Sequence, residues 1–153
     1  MENHAAGISI LAFIVAVSVS IAYYQFVYIR EANAKPQLPA EVLNPPQTTN
    51  VGIAPGSSNP GQTKNFIPKE ADGSLGLSNK IVWKNTDAVA HSVTSDTDYK
   101  DQINGSFNSI AKTGLIPPGR TFDFTFTTDG EYRYHCEPHP WMQALVKIAP
   151  SKF

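Results

Sequence analysis

The chain has 153 residues, enough for one modest domain and a further segment, and its formal net charge is −1 at pH 7. A near-neutral chain without a basic stripe argues against a general electrostatic affinity for nucleic acid. One cysteine excludes an intrachain disulfide, so Cys136 is a buried apolar side chain, a nucleophile or a metal ligand.

The first predicted element is an apolar helix. Residues 8–29 read ISILAFIVAVSVSIAYYQFVYI without a charge, and at about 1.5 Å per residue they extend roughly 33 Å, enough to cross a bilayer. Three tyrosines cluster at the C-terminal end, where an interfacial aromatic belt would lie. Residues 32–34 (ANA) resemble a signal-peptide cleavage box, but the long apolar run and the absence of a basic segment before it favour an uncleaved transmembrane anchor over residues 1–34.

The charges that flank this anchor bear on which side of the membrane the rest of the chain lies. Arg30 and Lys35 follow the apolar run, so the positive-inside rule places the rest of the chain in the cytoplasm. Glu31 offsets part of that charge, which makes the signal weak.

A linker is predicted next, over residues 35–64. This stretch contains six prolines and three glycines among many small polar residues, and it lacks the apolar periodicity of a core segment. From Val51 onward it could already run along the edge of a folded domain.

Residues 65–153 are predicted to form an all-β domain. Alternating or β-branched stretches predict strands over residues 80–85, 91–95, 121–128, 131–136 and 143–148. In the third of these, Phe122, Phe124 and Phe126 share one face, which is the pattern of a half-buried strand. No segment after the anchor has a helical period, and short strands without repeats fit a small β-sandwich.

The stretch YHCEPHPWM at residues 134–142 gathers the soft side chains of the chain. It holds the one cysteine, two of the four histidines and one of the two methionines. Thiolate, imidazole and thioether ligands suit copper, and one thiolate with two imidazoles and a weak axial thioether forms the mononuclear site of electron-transfer copper proteins. Cys136, His139 and Met142 supply three of these four ligands.

The second imidazole must come from another histidine. His4 precedes the apolar segment and is too distant. His135 adjoins Cys136 in a predicted strand, so its side chain points to the opposite face of the sheet. His91 remains, and it completes the predicted ligand set of His91, Cys136, His139 and Met142.

These motifs resemble the cupredoxins, the type 1 blue copper proteins. The Cys-x-x-His-x-x-Met spacing is similar to the short copper loop of the amicyanin type, IVWKNTDAVAHSV resembles the stretch before the first histidine ligand, and GLIPPGRTFDFTF is similar to the family's turn and following strand. The tether and linker give the chain a layout that resembles archaeal halocyanins. Cupredoxins commonly carry asparagine after the first histidine, where it ties the ligand loops together, and Ser92 stands there in this sequence.

The resemblance implies a Greek-key cupredoxin sandwich that holds one mononuclear type 1 copper. It implies an electron carrier rather than an enzyme, cycling between Cu(I) and Cu(II), with electrons leaving at the His139 edge inside an apolar rim that includes Pro140 and Trp141. Two alternatives stay open: a copper site with an open axial position that reacts with a small ligand such as nitric oxide, and a copper-delivery or sensing module.

Partners and location follow from the same resemblance. We expect membrane or soluble redox proteins as electron donor and acceptor. We also expect a single-pass attachment to the cell membrane, with the copper domain on the extracytoplasmic (periplasmic or pseudoperiplasmic) side. The sequence does not indicate an oligomeric state. This analogy outweighs the flanking charges of the anchor. The acidic residues Asp96, Asp98 and Asp101 are interpreted as a solvated loop.

Overall fold

The computed structural model describes residues 3–32 and 38–151, with the backbone alone for residues 3–7. The chain forms two compact units, Met1–Pro36 and Gln37–Phe153. Some sequence predictions lie outside the described residues: the side chain of His4, the last two positions of the ANA box, the charge of Lys35 and the 34/35 boundary between anchor and linker.

The first unit is helical. It comprises α1 (Asn3–Tyr23), a π-helical turn (Tyr24–Tyr28) and α2 (Ile29–Ala32). The stretch Ile8–Ala32 has 25 residues, and its most apolar 18-residue window has a mean hydropathy of 2.1 with none of it buried. By length and composition this helix can cross a membrane, although a signal sequence near the N-terminus meets the same criterion.

The second unit is built mainly from strands. Its elements in chain order are α3 (Ala40–Leu43), β1 (Thr48–Ile53), β2 (Phe66–Ile67), β3 (Glu70–Ser74), β4 (Lys80–Asn85), β5 (Thr94–Ser95), β6 (Lys100–Asp101), β7 (Gly105–Ser106), α4 (Ser109–Thr113), β8 (Thr121–Thr125), β9 (Gly130–Cys136) and β10 (His139–Ala149).

Two four-stranded sheets form the sandwich. One has the order β2-β1-β4-β8 and the other β3-β10-β9-β5, while β6 and β7 form a small separate hairpin. The pairs β1–β4 and β3–β10 are parallel, and the remaining neighbours are antiparallel. This architecture confirms the predicted all-β sandwich.

The interior is aromatic and continuous between the sheets. Phe122, Phe124 and Phe126 are all buried, as their period-two pattern predicted. Trp83 of β4 and Tyr134 of β9 are fully buried, and the indole Nε1 donates a hydrogen bond of 3.0 Å to the tyrosine hydroxyl. This bond satisfies the polar atoms of two side chains that pack the centre of the core.

The structure differs from the predicted linker over residues 35–64. Strand β1 lies inside a sheet, between β2 and β4, and its Val51 and Ile53 are buried in the core. Proline and glycine around β1 made the composition resemble a linker, but pairing with β4 and burial of two β-branched side chains fix this stretch as a strand.

Smaller differences concern element lengths. The strand predicted over residues 91–95 is reduced to β5, because His91 instead forms an isolated bridge with Ile116. The strand predicted over residues 121–128 ends at Thr125. The short helices α3 and α4 had no sequence prediction, since one turn of helix is too short to show a period.

Candidate metal centre

Three backbone segments bring the candidate ligands to one end of the core. His91 is held by a reciprocal bridge in which its N–H donates to the Ile116 carbonyl at 3.2 Å and the Ile116 N–H donates to the His91 carbonyl at 2.7 Å. Cys136 ends β9 and His139 begins β10, and the two residues pair across the tight turn between the strands.

The ligand atoms of His91, Cys136 and His139 lie within 4.8 Å of one another. The Cys136 Sγ is 3.7 Å from the His91 Nδ1 and 3.5 Å from the His139 Nδ1. For bonds of about 2.3 Å to sulfur and about 2.0 Å to nitrogen, as in zinc sites, ligands that share one ion are about 3.5 Å apart at a tetrahedral angle and about 3.7 Å at a trigonal one. The donor set therefore fits a single metal ion.

Burial differs among the three candidate ligands. His91 and Cys136 are fully buried, whereas His139 is only partly buried. Burial raises the pKa of the Cys136 thiol, against the opposing effect of hydrogen bonds from Ser92. Burial, followed by the nearby His91, lowers the pKa of His139, which favours the neutral imidazole that can coordinate a metal.

The second nitrogen of His91 faces a carboxylate. Its Nε2 lies 2.8 Å from Oδ2 of Asp87, which is itself only 6% exposed. Burial tends to raise the pKa of Asp87, but hydrogen bonds from the backbone of Gly56, from His91 and from the backbone of Ala88 and Ser58 bring it down to about 2. A carboxylate that orients a ligating imidazole is a recurrent feature of metal sites.

The comparisons with known proteins agree with this geometry. Residues 59–149 match the family model "Copper binding proteins, plastocyanin/azurin family". The chain belongs to this family.

Individual relatives in the plastocyanin/azurin family share part of the chain. Plastocyanin from Sambucus nigra is 32% identical over 85 residues, which cover 54% of this chain and 84% of the relative. Amicyanin from Paracoccus denitrificans is 30% identical over 69 residues, covering 44% of this chain and 47% of the relative. The chain thus spans about half the length of that second relative.

A solved structure shares the cupredoxin fold. The structure titled "Novel Purple Cupredoxin from Nitrosopumilus maritimus" has a TM-score of 0.53 and 24% identity, and the match covers 65% of this chain and 98% of that one. Cupredoxins bind one type 1 copper, and the cluster of His91, Cys136 and His139 lies where such an ion would be held.

Ser92 ties the ligand segments together at the position where cupredoxins commonly carry asparagine. Its hydroxyl accepts a 2.8 Å hydrogen bond from the Glu137 N–H, and its own N–H donates to the Cys136 Sγ at 3.2 Å. The serine is fully buried. The shorter side chain therefore provides a connection between the first histidine segment and the copper loop.

Met142 belongs to the inner face of β10. Ala144 pairs with Tyr134 and Val146 with Tyr132, so extending this register by two residues places Met142 opposite Cys136, although the pairing is irregular between His139 and Gln143. Met142 is fully buried and belongs to the same core as Cys136.

The remaining residues of the motif lie around this centre. The ring centroids of Trp141 and His139 are 5.3 Å apart, and the indole Nε1 donates to the Ser57 carbonyl at 3.0 Å. His135 lies on the outer face of β9, where its Nδ1 is 2.6 Å from Oδ1 of Asp96. It is not part of the ligand cluster.

Sequence reasoning missed Asp87 and the segment 54–58, which contacts both Asp87 and Trp141. The only available signal for Asp87 was its position four residues before His91, which has no meaning in a loop without a regular period. The segment 54–58 lay in the predicted linker, and nothing local to it indicates a contact with the copper loop.

Proposed function

We propose that this protein is a membrane-tethered type 1 copper protein that carries single electrons between redox partners, with His91, Cys136, His139 and Met142 as the copper ligands. The observation that carries the proposal is the convergence of one thiol and two imidazole nitrogens within 4.8 Å at one end of the cupredoxin core. Electron transfer as the role of the site is supported at the level of the family.

Copper, when bound, supplies a one-electron change between Cu(II) and Cu(I). The protein's own residues hold the ligands in place for that change. Cys136 and His91 are fully buried, and the reciprocal bridge with Ile116 fixes the backbone at His91. Because the ligands are held before the metal binds, little rearrangement is needed when the charge changes.

His139 provides the exit for electrons in this proposal. It is the only one of the three clustered ligands that is not fully buried. Exposed apolar side chains lie near these residues along the chain: Val89, two residues before His91, is 40% exposed, and Trp141, two residues after His139, is 37% exposed. Leu115, beside the bridge partner Ile116, is 42% exposed. An apolar surface of this kind allows redox proteins to approach closely without a large desolvation cost.

Residues 1–34 are proposed as an uncleaved single-pass anchor, with the copper domain on the extracytoplasmic side. The apolar helix Ile8–Ala32 supports the attachment, and the family analogy supports the side. Of residues 35–64, those from Thr48 to Ile53 form β1, so a tether between the two units is confined to the residues before that strand.

The absorption spectrum of the copper-loaded full chain in detergent tests the copper assignment. We expect one copper per chain and an intense visible band in the oxidised state, since charge transfer from the Cys136 thiolate gives the colour. Cys136→Ala should abolish the band, whereas the matched change His135→Ala on the outer face should leave it intact. A band that survives in Cys136→Ala would refute the proposed site.

Two further measurements separate the carrier from the alternative functions. A carrier should be reduced and reoxidised repeatedly without losing copper, whereas a delivery module should release copper on reduction. Nitric oxide should leave the spectrum unchanged if Met142 closes the axial position, and should change it if that position is open.

A further inference from the structure

We infer that Asp87 is a positioning residue that sets the redox equilibrium of the copper site, by presenting a fixed negative charge to the far nitrogen of the His91 imidazole. This inference rests on the proposed ligation of copper by His91. It assigns a role to a carboxylate outside the ligand set and to the segment 54–58, which holds that carboxylate in place.

The hydrogen bonds around Asp87 leave its carboxylate with one orientation. Its Oδ1 accepts from the N–H groups of Gly56 at 2.9 Å and Ala88 at 2.8 Å. Its Oδ2 lies 3.3 Å from the Ser58 N–H and 2.8 Å from the His91 Nε2. Backbone N–H groups can only donate, so they stabilise the ionised carboxylate and require it to act as an acceptor from His91 as well.

This arrangement fixes the proton of the imidazole. With Asp87 as acceptor, the Nε2 of His91 carries the hydrogen, and the Nδ1 that faces Cys136 keeps its lone pair for the metal. A ring flip or a change of tautomer would remove the donor at 2.8 Å and leave Oδ2 with only the 3.3 Å bond from the Ser58 N–H, which is costly at a site where both side chains are buried.

The charge of Asp87 acts on the metal through this ring. An anion close to a buried site stabilises the higher charge state more than the lower one, because the attraction grows with the charge and is poorly screened by protein. A carboxylate hydrogen-bonded to a ligating imidazole also makes that imidazole a stronger donor. Both effects favour Cu(II) over Cu(I) and therefore lower the reduction potential.

The segment 54–58 links this carboxylate to the other side of the site. Gly56 and Ser58 donate to Asp87, while the intervening Ser57 accepts from the indole of Trp141, which packs beside His139. Ser57 is fully buried, and its hydroxyl donates to the Ala54 carbonyl at 2.7 Å. One short segment therefore braces the surroundings of both histidines.

A second buried carboxylate supplies the matched control. Asp101 is 4% exposed, and like Asp87 it accepts from backbone N–H groups, in this case those of Ile103, Asn104 and Thr127. None of its hydrogen-bond partners is a proposed copper ligand. Asp101→Asn therefore removes a buried charge and perturbs a loop without touching the surroundings of His91.

The test compares the reduction potentials of the copper-loaded full chain, Asp87→Asn and Asp101→Asn in detergent. Asp87→Asn keeps a side chain of the same shape but removes the charge, so we expect the equilibrium between oxidised and reduced copper to shift about tenfold toward Cu(I), which is about 59 mV for one electron. Asp101→Asn should leave the potential unchanged. Equal potentials for Asp87→Asn and wild type would overturn the inference.

A measurement on the unmutated chain covers the case in which Asp87→Asn fails to fold. In the metal-free protein, nuclear magnetic resonance should place a slowly exchanging proton on the Nε2 of His91; a bare or rapidly exchanging Nε2 would overturn the inference. If the wild type has an intense visible band but Asp87→Asn has an unshifted reduction potential, only the role of Asp87 is rejected. The absence of the band in the wild type rejects the proposed copper site itself.

Discussion

At the scale of single residues, the centre depends on side chains that satisfy two neighbours at once. Ser92 is one example, because its hydroxyl donates to the Cys136 sulfur at 3.9 Å and accepts from the N–H of Glu137 at 2.8 Å. Asp87 is another, since it accepts from backbone donors on one side and faces His91 on the other. Removing the Asp87 side chain leaves the buried His91 ring nitrogen without this partner, and removing the Ser92 hydroxyl leaves the partly buried N–H of Glu137 without its acceptor. Leaving such a group unpaired costs more than the net value of one hydrogen bond.

Ser92→Ala should loosen the copper loop. The change leaves the Glu137 N–H without its acceptor, so we expect a loss of about 1 kcal/mol in unfolding free energy and faster release of copper to a chelator. The control is Ser95→Ala, because Ser95 is also buried and accepts from the N–H groups of Thr97 and Tyr99, away from the ligands. Equal copper release from both variants would contradict the proposed role of Ser92.

Met142 is expected to tune the copper rather than to hold it. A weak axial thioether contributes more to Cu(II) than to Cu(I), so Met142→Leu should retain the visible band and raise the reduction potential, by on the order of 59 mV for a tenfold shift. Met142→Gln, which offers a harder oxygen, should lower the potential. Voltammetry and absorption of the three proteins check this, and an unchanged potential in Met142→Leu would indicate that the sulfur does not ligate.

At the scale of elements, the strands that could be predicted from the sequence are those whose own residues show a strand pattern. The predicted bounds of β4 and β9 agree with the structure to within one residue, whereas β8 ends three residues before its predicted end. Strands β1 and β3 each contain a glycine, and they are strands because of long-range parallel pairing with β4 and β10. The ligand motif could be predicted because most of it is local, whereas the bonds that hold Asp87 to Gly56 and Ser58 join residues 31 and 29 positions apart and leave no local signal.

Gly73 of β3 should be intolerant of a side chain. A Cβ at this position would lie 2.7 Å from the Ser78 carbonyl oxygen and 2.8 Å from the Cδ1 of Ile148. We therefore expect Gly73→Ala to reduce the free energy of unfolding by about 1–3 kcal/mol in urea titrations. Gly52→Ala in β1 is the control, since its nearest atom is 3.7 Å away, and a similar loss in both variants would show that space at Gly73 is not the cause.

The hairpin β6–β7 should give the domain an acid-sensitive element. Asp101 was expected in a solvated loop, but it is buried. Burial tends to raise its pKa, yet hydrogen bonds from Asn104, Thr127 and Ile103 lower the pKa below the ordinary 3.8. The ionised form is thus favoured by folding.

The stabilisation that ionised Asp101 gives to the folded state is complete above the unfolded pKa of 3.8. It is lost as the pH falls through the lower pKa that Asp101 has in the folded state. Asp101→Asn should therefore be less stable than wild type at pH 7, by about 1–3 kcal/mol, and the difference should narrow below pH ~3.8. The urea unfolding midpoints of both proteins, at pH 7 and below pH ~3.8, measure this difference in stability. A difference that stays constant with pH would exclude the carboxylate charge as the cause.

At the scale of the whole molecule, the proposed function assigns membrane attachment to the first unit and copper binding to the second. The helix Ile8–Ala32 exposes apolar side chains along its length, whereas the unit from Gln37 encloses its own core. Because β1 is an inner strand of a sheet, the domain that must stay intact begins well before residue 65.

Protease added outside intact cells should release the copper domain. We expect the released fragment to begin before Thr48 and to keep its visible band, since a cut inside β1 would separate it from β2 and β4. Mass spectrometry of the fragment locates the cut. Protection in intact cells with digestion only after lysis would place the domain in the cytoplasm, as the charges flanking the anchor indicate.

The hydrogen bond between Trp141 and Ser57 joins residues that are 84 positions apart. During synthesis the segment 54–58 leaves the ribosome long before β10 exists, and such distant contacts form late and slowly. Until β10 docks, a nascent chain has neither His139 nor Met142 beside Cys136 and presents a lone thiol. The complete set of proposed ligands is therefore assembled only after β10 has been synthesised and has docked, so all four residues can hold copper only once the whole domain has folded.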